Sequence, residues 1–178
     1  MASDSGFRIA ILTTGGTIDK TYDETDGSLR NVRSVLDELL ANLRLPELQV
    51  THVPVLSKDS LDMDARDRSA IVAAVQSALP NHDAVLVIHG TDTLSETGEV
   101  LVSELGELTS PVLMTGAFRP FEFRDTDALQ NVTESLIAAR LLQPGVYVVM
   151  HGRALRFPGV RKDRAGGTFR RVHSSTSG

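Results

Sequence analysis

Phe7-Arg8-Ile9-Ala10-Ile11-Leu12-Thr13-Thr14-Gly15-Gly16-Thr17-Ile18 runs from an apolar strand straight into a turn rich in threonine and glycine. The same grammar returns at Ala84-Val85-Leu86-Val87-Ile88, which leads into His89-Gly90-Thr91-Asp92-Thr93. An apolar run of this length without polar alternation reads as a strand buried on both faces. Glycine then lets the chain turn at the strand's carboxyl end, which is where open α/β sheets bind ligands. Two such turns in one chain can place two threonine hydroxyls and a carboxylate around a single cavity.

Outward from these turns, strand-length apolar runs alternate with stretches of helical spacing. Val32, Val35, Leu36, Leu39 and Leu40 follow the first turn at helical intervals, Gln49 to Val55 reads as a strand, and Ile71, Val72, Val75 and Leu79 form a second stripe. Beyond Ala84 to Ile88 come a helix over Glu96 to Leu105, a strand over Val112 to Thr115, a helix over Asp125 to Leu142 and a strand over Val146 to Met150. Five strands alternating with four helices predict an α/β fold: a doubly wound, mostly parallel sheet flanked by helices, with right-handed crossovers, in a single domain. Asp19 to Leu29, which holds Tyr22, four acids and Gly27, has little to bury and reads as a mobile loop beside the first turn, a candidate lid. His151 to Thr168 shows no sustained period and leaves room for a short edge hairpin. The tail from Ser174 is expected to fray.

At 178 residues and 41% apolar composition the chain can enclose one full core. It has no cysteine, which removes disulfides, thiolate catalysis and Cys-based metal sites. His52, His82, His89, His151 and His173 do not fall at metal-ligand spacing, and Gly15-Gly16 is not a dinucleotide fingerprint, so no metal and no cofactor is implied. His89 reads as a packed residue at a strand end. No apolar run is long enough to cross a bilayer, and Met1 to Gly6 is too short and polar for a signal peptide, so the expectation is a cytoplasmic protein with no membrane partner.

The net charge of -5 conceals an asymmetry. Arg153 to Arg171 carries seven basic residues and one acid, which leaves about -11 for the remainder. That acidic remainder argues against a nucleic-acid partner, and the basic stretch reads first as a solvated face. Lys20, Lys58 and Lys162 stand against fifteen arginines. A lysine kept among arginines points to proton chemistry that an always-charged guanidinium cannot perform.

A threonine hydroxyl is a weak nucleophile at neutral pH. It needs a base or proton relay and a setting that stabilises the oxyanion it creates. For Thr14 alone, a tight structural turn is as good a reading as catalysis. Thr91 beside Asp92 shifts the balance, because that carboxylate can pair with a ligand ammonium. The structural reading of the same turn is that Thr93 caps the next helix, with Glu96 closing a capping box. Both readings can hold together.

Taken together, Thr14-Gly15-Gly16-Thr17-Ile18 and His89-Gly90-Thr91-Asp92-Thr93-Leu94-Ser95-Glu96-Thr97 resemble the bacterial-type L-asparaginase family. The resemblance extends through Asp59-Ser60-Leu61-Asp62-Met63 and Val112-Leu113-Met114-Thr115-Gly116-Ala117-Phe118-Arg119-Pro120. It covers most of the chain but only the family's amino-terminal domain. Typical members carry a second, smaller domain that completes the neighbouring subunit's site, so the expectation is a short-chain form in which residues 1–178 make one asparaginase amino-terminal-like domain. The resemblance implies Thr14 as primary nucleophile, Thr91, Asp92 and Lys162 as the second threonine, aspartate and lysine, and Tyr22 as the loop tyrosine. It implies Ser60 and Asp92 as holders of substrate, with Gly15, Gly90 and Thr115 lining it. Leu61 replaces a polar neighbour found in many members.

The implied activity is hydrolysis of the L-asparagine side-chain amide to L-aspartate and ammonia through threonine nucleophiles. The implied partners are that small molecule and further copies of the chain, as a homodimer or homotetramer. Asparagine presents an ammonium, a carboxylate and an amide, and Asp92, Ser60 and Thr14 with Thr91 and Lys162 answer each. Two alternatives stay open: a glutaminase-like amidohydrolase, since one methylene discriminates by only about 1 to 3 kcal/mol, or a non-catalytic amino-acid-binding module. Lys162 acts as a base only when neutral, which Arg161, Arg164, Arg170 and Arg171 would favour if they lie close in space. Leu155, Phe157, Pro158, Val160 and Phe169, with no periodic element of their own, are the expected contact surface between copies.

Overall fold

The computed structural model describes residues 6–31 and 34–172. β1 (Phe7–Gly15) lies between β4 (Leu48–Lys58) and β5 (Ala84–Ile88), followed by β6 (Pro111–Thr115) and β7 (Gly145–Met150), all parallel. β8 (Arg153–Arg156) runs antiparallel to β7 and completes a six-stranded sheet in the order β4-β1-β5-β6-β7-β8. The helices are α1 (Leu36–Ala41), α2 (Ala65–Ala78), α3 (Leu94–Leu105) and α4 (Ala128–Leu141). Among the described residues, no helix is long and apolar enough to cross a membrane.

Side-chain alternation along each central strand feeds two cores. Ala10, Leu12, Val85 and Val87 pack with Ile71 and Val75 of α2 and Leu94 and Leu101 of α3. Ile9, Ile11, Leu86 and Ile88 pack on the other face with Leu36 and Leu39 of α1 and Val132 and Leu136 of α4. The expected doubly wound sheet is therefore present, with all five parallel strands and all four helices. β4 departs from the rest: as an edge strand it alternates between half-buried and exposed positions rather than being buried on both faces. The first helix begins at Leu36, and Val32 of its expected stripe lies outside the described residues, as does the 174–178 tail.

Two stretches without apolar period are hairpins. The expected loop Asp19 to Leu29 instead follows a 3-10 turn (Thr17–Asp19) with β2 (Lys20–Asp23) and β3 (Ser28–Asn31), paired antiparallel. Beyond β8, β9 (Val160–Asp163) and β10 (Thr168–Arg171) form a second hairpin. Phe157, Val160 and Phe169 are buried in the core on the α2–α3 face, with Leu155 packed against them. That corrects their expected exposure to a second copy: the edge strand and hairpin bury them within the chain itself. The capping expectation at Thr93 is also overturned, since its hydroxyl donates to the Ser60 carbonyl at 2.8 Å and makes no cap bond. Glu96 turns to Arg68 at 2.8 Å, and the capping box forms at Asp64 and Asp67 of α2.

Candidate active site

The chain leaves β1 for β4 on one side and then crosses back to β5 on the other, which makes the carboxyl ends of β1 and β5 a topological switch point, the place where open α/β sheets bind ligands. Thr14 is buried at the end of β1, and its Oγ1 donates to the Ile88 carbonyl at 2.9 Å. Past it, Gly16 adopts φ 88°, and any Cβ there would overlap the Gly90 main chain. A Cβ on Gly90 would in turn lie 2.6 Å from Ser60 Oγ. Three turns thus touch through Gly16 and Gly90, an approach that only a missing side chain permits. Thr14, Ser60 and Thr91 are brought to one place by that contact, and Gly15 (φ 95°) lies against the Lys58 main chain beside it.

Lys162 enters from β9, 70 residues further along the chain than Asp92. Its Nζ donates to Thr91 Oγ1 at 2.8 Å and to Asp92 Oδ1 at 2.9 Å, and it lies 4.7 Å from the Phe118 ring centroid. Arg164, in the turn after β9, donates from Nη2 to the same Asp92 oxygen at 2.8 Å. Burial works to raise the Asp92 carboxyl, but the Lys162 hydrogen bond and charge, then those of Arg164, outweigh it and hold the group below the ordinary carboxylate range. Arg161 is drawn away to Glu99 at 2.9 Å, so the arginines nearest in sequence to Lys162 meet carboxylates.

Ser60 is buried, its Oγ accepting from the Thr93 amide at 3.3 Å. Leu61 is exposed, and its amide closes on Asp59 Oδ1. Tyr22 stands 58% exposed on β2, in a hairpin tied down where the Tyr22 amide donates to Glu122 Oε2 at 2.9 Å. Thr115 is fully buried, with its hydroxyl donated to the Val149 carbonyl at 2.8 Å. His89 is wholly buried between the Gly90 carbonyl (2.8 Å) and Thr97 Oγ1 (2.9 Å). Burial, reinforced by the nearby Arg68 charge, pushes its pKa down to about 4 against the Gly90 hydrogen bond.

Several site neighbours carried no sequence signal of their own. Lys20 Nζ donates to Asp59 Oδ2 at 2.6 Å and anchors the β2–β3 hairpin to the Ser60 turn. That contact holds the Asp59 carboxyl low, and the Lys162 charge adds to it. His151 Nε2 meets Asp127 Oδ2 at 2.8 Å, and the His151 ring packs edge-on to Phe118 beneath Lys162. The scarcity of lysine was the one available clue. Lys20, Lys58 and Lys162 each pair with an aspartate: Asp59, Asp67 and Asp92.

The family described as "Asparaginase, N-terminal" matches residues 8–175. An L-asparaginase of Thermococcus kodakarensis is 32% identical over 143 residues, covering 79% of this chain and 43% of that protein. A glutamyl-tRNA(Gln) amidotransferase component of Aeropyrum pernix is 34% identical, covering 94% of this chain and 40% of the relative. The solved thermostable L-asparaginase of T. kodakarensis superposes with a TM-score of 0.83 at 28% identity, over 93% of this chain and 51% of the other. The chain therefore spans less than half the length of these two curated relatives.

Proposed function

This chain belongs to the asparaginase family, matched through its amino-terminal domain, and we propose that it hydrolyses the side-chain amide of L-asparagine to L-aspartate and ammonia. The observation that carries this reading is the hydrogen-bonded set Thr91–Lys162–Asp92 standing beside Thr14 at the switch point between β1 and β5. A bare binding module has no use for two threonine hydroxyls and a lysine in that arrangement.

In this reading Thr14 Oγ attacks the amide carbon, and the carbonyl electron pair moves onto oxygen. Collapse of the tetrahedral species breaks the C–N bond, and the amide nitrogen leaves as ammonia with the proton given up by the hydroxyl. Water then adds to the Thr14 ester. Thr91, linked to Lys162, relays the water's proton, and Thr14 leaves with a proton restored. Asp92 receives the substrate ammonium, Ser60 the α-carboxylate, and Gly15 and Gly90 let the substrate approach the main chain closely. Tyr22 closes over the site from its hairpin, and Thr115 supports the floor from below. The protein acts in the cytoplasm and self-associates as a homodimer or homotetramer.

A second reading, an amidohydrolase that supplies ammonia from a glutamine-type amide, is favoured by the likeness to the amidotransferase component. Ammonia release from L-asparagine and L-glutamine, measured in parallel with heat-denatured protein as control, separates the two. Release from neither amide would overturn both.

A further inference from the structure

We infer that Arg164 is a specificity-determining residue of this site, a guanidinium anchor for the α-carboxylate of the ligand. The inference rests on the amidohydrolase reading for its choice of ligand, and its geometry stands on Asp92. One oxygen of that carboxylate carries two cations, Lys162 at 2.9 Å and Arg164 at 2.8 Å. Two positive charges on one negative charge leave a surplus of one at the mouth of the site, in a chain whose net charge is -5. A carboxylate on the ligand would find there a cation that Asp92 does not fully neutralise.

The two cations are not equivalent. Lys162 is largely buried, and its ammonium is shared between Thr91 and Asp92. Arg164 has a side chain 72% exposed, and among the described residues a single N–H of its planar fork is engaged, by Asp92. The rest of the fork is free for a carboxylate, whose geometry a guanidinium matches in bidentate fashion. The other cations around the site are committed elsewhere: Lys20 to Asp59 and Arg161 to Glu99. Next to Ser60, Leu61 presents an exposed apolar side chain that cannot donate a hydrogen bond.

Position follows from the ligand's own chemistry. The ammonium and carboxylate of an α-amino acid hang from one carbon by bonds of about 1.5 Å each. An ammonium on the second oxygen of Asp92 therefore carries its carboxylate to the neighbourhood of the guanidinium on the first. The turn that presents Arg164 is itself fixed, since the Gly166 amide donates to Asp163 Oδ1 at 3.0 Å.

The test compares Arg164→Ala and Arg164→Lys with the parent chain on L-asparagine and on 3-aminopropanamide, which keeps the ammonium and amide but lacks the carboxylate. Arg164→Ala should raise KM for L-asparagine at least tenfold more than KM for 3-aminopropanamide, with a smaller change in kcat. Arg164→Lys should restore part of the difference, as a point charge without the fork. Equal KM penalties on the two amides would mean that Arg164 acts only through Asp92, and would overturn the inference.

A second arm needs no turnover. By calorimetry the parent chain should bind L-aspartate more tightly than β-alanine, and Arg164→Ala should erase that preference. A parent chain that binds L-aspartate no better than β-alanine, or a variant that keeps the preference, overturns the inference. No ammonia from either amide, together with an Arg164-dependent preference for L-aspartate, removes the hydrolase reading and leaves the carboxylate anchor standing.

Discussion

Thr14 and Thr91 differ in what holds their hydroxyls at rest, and that difference sets what each substitution should do. Thr14 donates to a main-chain carbonyl, while Thr91 accepts from the Lys162 ammonium and keeps its own proton available. Thr14→Ala leaves the buried Ile88 carbonyl without that donor, a stability cost of about 1 kcal/mol. Its expected effect on turnover is far larger, roughly 10³-fold or more, because a lost nucleophile removes an interaction made only in the transition state. Thr91→Ala should slow turnover to a similar extent and release one bond of Lys162. Steady-state kinetics with thermal unfolding on the same samples separate the two quantities, and near-parental turnover in either variant would sink the assignment. At this scale the sequence is legible where a residue sits in a motif, as with Thr14, Ser60, Thr91 and Asp92. It is silent where partners meet across the fold. Lys20 and Asp59 are 39 positions apart, and no local pattern encodes their pairing.

Elements were legible in proportion to the apolar surface they bury. β1, β5, β6 and β7 are buried along nearly their whole length, and their apolar runs located them. In sequence the β2–β3 hairpin reads as a loop, and the β9–β10 hairpin only as room for one, because their four-residue strands are mostly half-buried or exposed, with pairing supplied by main-chain bonds that any side chain allows. Yet the β9–β10 hairpin carries Lys162 and Arg164, so the site depends on how it is seated. Gly98 of α3 bears on this seating, since a methyl group there would overlap the Phe157 ring. On an open helix face Gly→Ala stabilises by about 1 kcal/mol. Here the sign should reverse, with Gly98→Ala costing about 1 to 3 kcal/mol through overpacking. Urea unfolding checks this, and a variant as stable as the parent would show that Phe157 moves aside freely.

The whole molecule adds two expectations. Self-association should appear by light scattering as a mass at least twice that of one chain at micromolar concentration and moderate salt, and a monomer with full activity would overturn it. The apolar side chains of 155–169 are largely spent on the chain's own core, while exposed ones include Ile137 and Leu141, one turn apart on α4. The second expectation concerns acid. His89 has a folded pKa of about 4 against an ordinary 6.5, so between those values the unfolded chain binds the extra proton and stability rises with pH. Its contribution is fully present above about pH 6.5 and is lost as pH falls toward 4, an effect on the order of 3 kcal/mol. The paired carboxylates Asp59, Asp83 and Asp92 have lowered values. Their contribution is therefore present above the unfolded value of 3.8 and disappears only as pH falls through their folded values, below the histidine's window. Asp19, raised by burial, works in the opposite direction, since the folded chain holds its proton more readily. The expected profile is a fall in thermal midpoint that begins near pH 6.5, well before the carboxylates titrate. His89→Gln should flatten it between about pH 4.5 and 6.5. Should that variant fold poorly, the His89 ring resonance of the parent chain decides the matter: it should stay at its neutral position down to about pH 5, and titration near 6.5 would show that the ring is not sealed in the core.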